Sequence, residues 1–538
     1  MYRHDHGRHS PSSALTEPQP PAPPAITTPI PAITFTPRRR ARPGTIRRIQ
    51  WPLLAVLTVQ VALSARLAWS NTAFVDEATY LYAGHQEIHA IFANGSLTVP
   101  GQNGYYQGYF SGAPTLYPIL GAVADSLGGL AAARLLSLVF MLGATASLYL
   151  TTARLYGRRA ATCAGTAFVL LGPTQFLGAF ATYDAMALCL MALAAFLAVK
   201  SAQESDNKPT LLYASLAMAS ADAAKYAVIL FDPVIIGLCV LACVPHRGWA
   251  QARRQAYRML GYSGTVVAAL LAVGGHTYIE GLMSTTIARA PGHFPAVQVL
   301  SESWHWVGGM AVIAVIAVAL SAAREPWAYR WLAALLAAAI LLVPLNQARI
   351  HTVTSLQKHV DFGSWFAAIA AGYAIATIFP AARLRIINGL MVLAGAAATV
   401  AIGTITATQA THLFHGWSSS SREVAALRPW ATHGNILAED YFIYSYALSR
   451  EVSLHRWAST WHLSYIDPSD HRELTGPPAY RDAISHHYFG TIALSYGTTS
   501  AIDHQITADM TSAGGYLRVG HIRYGHLWFD VFHDVRAR

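Results

Sequence analysis

Long apolar runs recur along the chain, at about 51–70, 131–152, 159–178, 182–200, 210–223, 226–244, 259–275, 304–322, 328–345, 360–379 and 385–405. Most are as long as a helix needs to cross a bilayer core, roughly 20 residues. The pattern predicts a polytopic α-helical membrane protein of about 11 transmembrane helices. The fifth and sixth runs also read as one bent hairpin around Ala224-Lys225-Tyr226. Two polar stretches between runs are too long for simple connectors, and long ordered loops tend to be functional. The first follows the opening span. Its Asp76–Phe92 portion has helical spacing, with Tyr80, Gly84 and Ile88 on one face. Gly-, Asn- and Tyr-rich sequence follows from Asn94 to Gly112, then a short apolar turn at Tyr117–Leu130. The second runs from His276 to Ser303.

Beyond residue 405 the pattern changes. Gly434–Glu439 and Phe489–Ser495 read as short strands, Pro478–His487 and Ser500–Thr511 as helices, and Tyr516–His521 as a further strand. Strands alternating with helices predict a small α/β domain over 406–538. At the other end, residues 1–37 are rich in Pro, Ser and Thr without apolar periodicity, which predicts disorder. The expected organisation is a Pro-rich cytoplasmic tail over 1–45, a membrane domain over 46–405 and an extracytoplasmic domain over 406–538. The long polar extension before the first span, and the lack of a small-residue cleavage pattern, argue against a cleavable signal peptide.

Composition agrees with the membrane reading. The 538 residues are 54% hydrophobic and 12% charged, half the charge of an ordinary soluble domain. The formal charge of +10 serves topology. Loops assigned to the cytoplasm, with the cluster Arg38, Arg39, Arg40, Arg42, Arg47 and Arg48, carry nineteen Lys and Arg. Membrane-domain loops assigned outside carry four: Lys225, Arg289, Arg349 and Lys358. This asymmetry places the N-terminus in and the C-terminus out. There is no basic stripe on a soluble domain of the kind nucleic acid requires. Cys163, Cys189, Cys239 and Cys243 all fall in apolar segments and predict no disulfide framework.

The charged residues that remain on the outer side are the candidates for chemistry. The first outer loop, 71–116, contains no Lys or Arg, yet it opens with Asp76 and Glu77. Adjacent helical residues point about 100° apart, so the two carboxylates do different work, and Tyr80 lies one turn beyond Asp76. The plainer reading is an exposed cap or interface charge; against it stand the loop's lack of a positive partner and the position at the membrane edge. Asp184 begins the fourth span on the same side, where a carboxylate needs a partner or serves as a helix cap. Lys225, Arg289, Arg349 and Lys358, with His351 and His359 flanking the last two, would suit a negatively charged substrate, most simply a phosphate; the alternative is that some contact lipid headgroups. Asp232 and Asp361 lie within spans, either pairing with Lys225 and Lys358 or lining a cavity. His85, Glu87 and His89 lack the zinc-protease order, in which Glu directly follows the first His. Tyr105, Tyr106 and Tyr109 suit stacking on a sugar or acceptor and equally an interfacial aromatic belt. The tail domain's Tyr and Trp pose the same choice between acceptor binding and packing.

An acidic pair with a following Tyr (Asp76, Glu77, Tyr80), a later Tyr183-Asp184 at the start of a span, and Leu356-Gln357-Lys358-His359 leading to Ala371-Gly372-Tyr373 together resemble the GT-C superfamily of membrane glycosyltransferases. The likeness is greatest to the protein O-mannosyltransferase and aminoarabinose transferase branch. Here Val360-Asp361-Phe362 stands where that branch has Tyr-Leu-Pro after the Lys. The resemblance implies a polyprenyl-phosphate sugar donor and an extracytoplasmic acceptor in the cell envelope, whether glycan, lipid or protein. It implies Asp76 as base toward the acceptor hydroxyl, and outward Lys and Arg stabilising the leaving phosphate. Glu77 and Asp184 would orient the site or help hold a divalent metal ion. Attack opposite the phosphate implies inversion. Two other classes compete. A transporter or flippase would use Asp76, Asp184 and Asp232 for proton coupling, but it commonly shows related halves and none is visible. A non-catalytic scaffold would bind cell-wall polymer through its outer domain.

Overall fold

The computed structural model describes residues 51–94, 116–204, 208–286, 288–379, 385–524 and 527–536. Seven of its helices are long and apolar enough to cross a membrane: Leu116–Tyr156, Tyr183–Gln203, Tyr226–His276, Ala296–Arg324, Trp327–Arg349, Leu356–Ile378 and Gly389–Phe414. This is a multi-pass membrane protein. The difference from eleven has local causes. The first apolar helix, Trp51–Ala65, has only 15 residues. The third run breaks at Leu170-Leu171 into Arg158–Val169 and Gly172–Leu177. The fifth, Lys208–Ala224, has 17 residues. The sixth and seventh lie in one run that kinks at Gly248, whose φ of 74° suits glycine.

The segment Tyr117–Leu130 is helical rather than a turn. It forms the first part of Leu116–Tyr156, which bends at Gly128 and Gly129. The second long outer stretch is also largely helical, running to Thr285 and resuming at Ala296. Between them, Gly292 N–H donates to Ile350 O at 2.9 Å and Phe294 N–H to His351 O at 3.1 Å. These bonds tie 288–295 to the turn that precedes Leu356–Ile378.

Three contacts set the position of the functional elements. The helix Val75–Asn94 crosses the 116–128 segment so closely that a Cβ at Gly84 would lie 1.9 Å from Pro118 O. Leu356–Ile378 is enclosed through most of its length, and a Cβ at Gly372 would lie 2.4 Å from Ala160 O. The loop 66–74 is stitched to the end of Arg385–Phe414. Asn71 Nδ2 donates to Phe414 O at 2.9 Å, and Trp417 Nε1 donates to Thr72 O at 3.1 Å.

The C-terminal region forms a five-stranded sheet in the order β2-β1-β5-β7-β6 and a two-stranded β3-β4 ladder. The strands are β1 (Asn435–Ala438), β2 (Trp457–Ser459), β3 (Ser464–Ile466), β4 (Glu473–Thr475), β5 (Phe489–Leu494), β6 (Tyr516–Tyr524) and β7 (Leu527–Asp534). β1 runs parallel to β2 and β5, whereas β7 is antiparallel to β5 and β6. β5 is buried at every position, as expected for a central strand with both faces covered. One buried apolar cluster includes both membrane helices and Ile436, Tyr441, Tyr444, Phe529 and Val531 of this region. The four cysteines are free thiols.

Candidate active site

Four chain segments bring charge together at their ends. Asp76 and Glu77 lie in the first turn of Val75–Asn94, and Asp184 lies in the first turn of Tyr183–Gln203. There the helix dipole favours a carboxylate. Lys225 sits in extended backbone between Lys208–Ala224 and the short 3-10 turn Tyr226–Phe231. Lys358 and His359 begin Leu356–Ile378. A cation in a first turn opposes the dipole, so Lys358 needs nearby carboxylates.

It has two. Lys358 Nζ lies 2.6 Å from Asp76 Oδ2 and 3.5 Å from Asp184 Oδ2. Lys225 Nζ lies 2.7 Å from Asp184 Oδ1, and His359 Nε2 lies 3.8 Å from the same oxygen. Thr182 Oγ1 donates to Asp184 Oδ2 at 2.8 Å. His359 is oriented by Gln347, whose Nε2 lies 2.7 Å from its Nδ1. Asp184 is fully buried, whereas the Asp76 side chain keeps 15% of its surface exposed. That difference makes Asp76 the acid an incoming molecule can reach. Tyr80 and Tyr183 pack beside the pair with tilted rings whose centroids are 4.7 Å apart, and Lys225 Nζ stands 4.7 Å from the centroid of Tyr183.

Glu77 does something different. Arg134 grips it in a fork, with Nε to Oε1 at 2.8 Å and Nη2 to Oε2 at 2.7 Å. Phe74 N–H and Ala181 N–H donate to the same carboxylate at 3.0 and 2.9 Å. The remaining Arg134 donors reach Ala68 O, Asn71 O and Thr72 O. Both side chains are fully buried. Glu77 therefore fastens the loop before Asp76 to the turn before Asp184. The expectation that the acidic pair lacks a positive partner is corrected: Glu77 takes Arg134, and Asp76 takes Lys358. Arg134 was overlooked because it lies inside an apolar run. The signal was present, since an Arg in a span is expensive unless it is paired.

The remaining candidates separate. Arg349 is exposed and donates to Asn346 Oδ1 at 3.0 Å, beside a small cleft lined by Lys225, Asn346, Gln347 and His359. Arg289 is exposed and lies within electrostatic range of His359. Tyr105, Tyr106 and Tyr109 lie outside the described residues. Asp361 pairs with neither lysine; it accepts from Thr174 Oγ1 at 2.7 Å. Asp232 lies beside Asp222, and the carboxylate that Lys225 pairs with is Asp184. His85 Nε2 lies 2.7 Å from Asp125 Oδ2. Glu87 is buried without a hydrogen-bond partner among the described residues.

The donor set fits a divalent metal poorly. Glu77 has four hydrogen-bond donors on its two oxygens, and two lysines already neutralise Asp76 and Asp184. An ion there would crowd a third positive centre against Lys225 and Lys358. The same arrangement suits an anion that can exchange for a carboxylate on Lys358.

No protein-family model matches the chain, and no curated protein does. Solved structures do. The chain is similar to ArnT from Cupriavidus metallidurans bound to undecaprenyl phosphate, with a TM-score of 0.58 at 14% identity over 90% of this chain and 98% of that one. It is similar to the arabinofuranosyltransferase AftD from Mycobacteria, at 0.51 and 14%, over 90% of this chain and 40% of that one. It is similar to the apo oligosaccharyltransferase of Archaeoglobus fulgidus, at 0.50 and 11%, over 90% of this chain and 74% of that one. The chain has the fold of the GT-C membrane glycosyltransferases.

Proposed function

We propose that this protein is a glycosyltransferase that moves a sugar from a polyprenyl-phosphate donor to an extracytoplasmic acceptor of the cell envelope. The observation that carries the reading is the reachable Asp76 held 2.6 Å from Lys358, on a GT-C fold. The fold alone would leave the chemistry open, because function resides in the site. The ArnT structure with undecaprenyl phosphate makes a lipid phosphate the natural anion to consider.

In this reading the donor phosphate exchanges for Asp76 on Lys358. The exchange keeps the lysine compensated and releases the Asp76 carboxylate from that ion pair, beside the anomeric carbon. The acceptor oxygen attacks that carbon as its proton passes to Asp76. The bond from the carbon to the phosphate oxygen breaks, and its electron pair leaves on the phosphate. Lys358 and Lys225 meet the growing negative charge, with His359 beside them and Arg289 and Arg349 at the rim. Buried Asp184 holds both lysines in place. Tyr80 and Tyr183 flank the reacting centre. Attack opposite the leaving phosphate inverts the anomeric carbon. The reading keeps the eleven-span topology, with the catalytic domain over 46–405, the 406–538 domain outside, and the site on the extracytoplasmic face of the cell membrane.

The test is transfer by purified membranes from a panel of radiolabelled polyprenyl-phosphate sugars, followed by NMR of the labelled product. The expected result is one productive donor and a product of inverted anomeric configuration. A retained configuration would remove the single-displacement mechanism. No transfer from any donor would remove the reading.

A further inference from the structure

The tail domain carries a second cleft, away from the charged site. It is a shallow, open cleft of about 60 Å³ along β2, the edge strand of the sheet. Its floor is buried and largely aromatic, formed by Tyr441, Trp457 and Leu463 with Ser459. Its rim is polar and open, with His455, His462 and Tyr488 exposed. Trp457 is only 2% exposed, and its indole N–H has no acceptor among the described residues. A buried donor without a partner is uncommon and calls for an explanation. The Tyr488 ring is 43% exposed and is braced edge-on by Tyr465 at 5.1 Å. A rigid aromatic presented to solvent loses little side-chain entropy when it binds something.

The chemistry of the lining selects a ligand class. The one Arg in the cleft, Arg456, donates through both Nε and Nη2 to Gly434 O. Two of its donors are thereby turned to the backbone, so the cleft lacks an Arg fork dedicated to an anion. Aromatic faces suit the C–H face of a sugar ring, while Asn, Ser and His side chains at the edges suit its hydroxyls. A peptide strand added to the sheet edge is disfavoured, because β2 is three residues long and strand addition draws on a run of backbone bonds.

The cleft is also joined to the charged site. Tyr441, in its floor, opens the helix Tyr441–Ala447. Tyr446, near the other end of that helix, donates to Asp125 Oδ1 at 2.6 Å, and Asp125 Oδ2 meets His85 at 2.7 Å. His85 lies on the helix that carries Asp76.

We propose that this cleft is a binding subsite for a neutral oligosaccharide, holding the acceptor glycan by sugar units remote from the hydroxyl that reacts. The inference rests on the glycosyltransferase reading for its role and narrows the acceptor from glycan, lipid or protein to glycan. Binding energy from remote units would position the reacting hydroxyl.

The test uses the purified full-length protein in lipid nanodiscs, with linear pentasaccharides of glucose, mannose and arabinose as probes. Saturation-transfer NMR and calorimetry read the binding. The expected result is saturable binding of at least one pentasaccharide, weakened at least tenfold by combining Tyr488→Ala with His462→Ala. Both residues are exposed, and the variant's unfolding midpoint checks that it is folded. Asp76→Asn should bind the same sugar as wild type, because Asp76 lies in the other site. Absence of binding by all three sugars would overturn the inference, as would full affinity in the rim variant. Binding of a neutral pentapeptide in place of the sugars would assign the cleft to a peptide instead. Sugar binding without transfer from any donor would leave the subsite standing and remove the catalytic reading. Transfer without sugar binding would do the reverse.

Discussion

Replacing Arg134 by Met should destabilise the protein more than any other single charge removal outside the lysine site. The substitution keeps much of the side chain's bulk but removes five N–H donors. Two of them serve Glu77, and three serve the carbonyls of Ala68, Asn71 and Thr72. Glu77 would keep only the amides of Phe74 and Ala181 and would remain a buried, uncompensated charge. Breaking a fully buried pair in this way costs about 3–5 kcal/mol. Average globular proteins gain about 2 cal/mol/K of unfolding entropy per residue, which for this chain is on the order of 1 kcal/mol/K. The expected fall in unfolding midpoint is therefore about 3–5 °C, read by intrinsic fluorescence in detergent at a fixed scan rate. Adding Glu77→Gln to Arg134→Met removes the stranded charge and should return part of the loss. A single variant within about 1 °C of wild type would refute the reasoning. So would a double variant less stable than the single.

Other outcomes follow from the same geometry. Burial pushes Glu87 up to about 8 from the ordinary 4.5. Between those values the folded chain holds a proton that the unfolded chain releases, so stability falls as pH rises through that window. Glu87→Gln should remove this dependence, opening a gap from wild type of up to about 1.4 kcal/mol per pH unit between pH 6 and 8; parallel midpoint curves would contradict it. Gly84→Ala forces a Cβ against Pro118 O and should cost about 1–3 kcal/mol, with transfer falling as Asp76 moves; an unchanged midpoint would mean that the helices part easily. Lys358→Ala should raise the donor KM at least tenfold, because its ammonium is the cation on which the donor phosphate takes the place of Asp76. An unaltered donor KM would take Lys358 out of the phosphate site.

The sequence made some of this legible for a physical reason. A charge at the end of an apolar helix has few ways to be satisfied, so Asp76, Asp184, Lys225, Lys358 and His359 could be singled out without coordinates, and the fold brings them together. Which acid meets which base was not legible. That depends on the turn at Lys225 and on the packing of Leu356–Ile378 against its neighbours. Glu77 and Asp76 are adjacent in sequence, but only the fold separates them into a fastening carboxylate and a reachable one. The helical 116–128 segment was misread as a turn because its Gly-Gly bend resembles a terminator. In the tail, β5, β6 and the two longer helices carried clear periodicity. β2, β3 and β4 are three residues each, too short for any period to register. β7 alternates poorly, since both faces are partly covered.

The most direct measurement of the account is transfer by Asp76→Asn, made in purified membranes with the donor that wild type uses and with expression matched by immunoblot. Asn fills the same volume, but it cannot take the acceptor's proton. The account predicts that labelled product falls at least 100-fold, the low end of what a general base contributes, while a single cooperative unfolding transition shows that the variant is folded, with Asp184 still beside Lys358. Transfer at a near wild-type rate would contradict it.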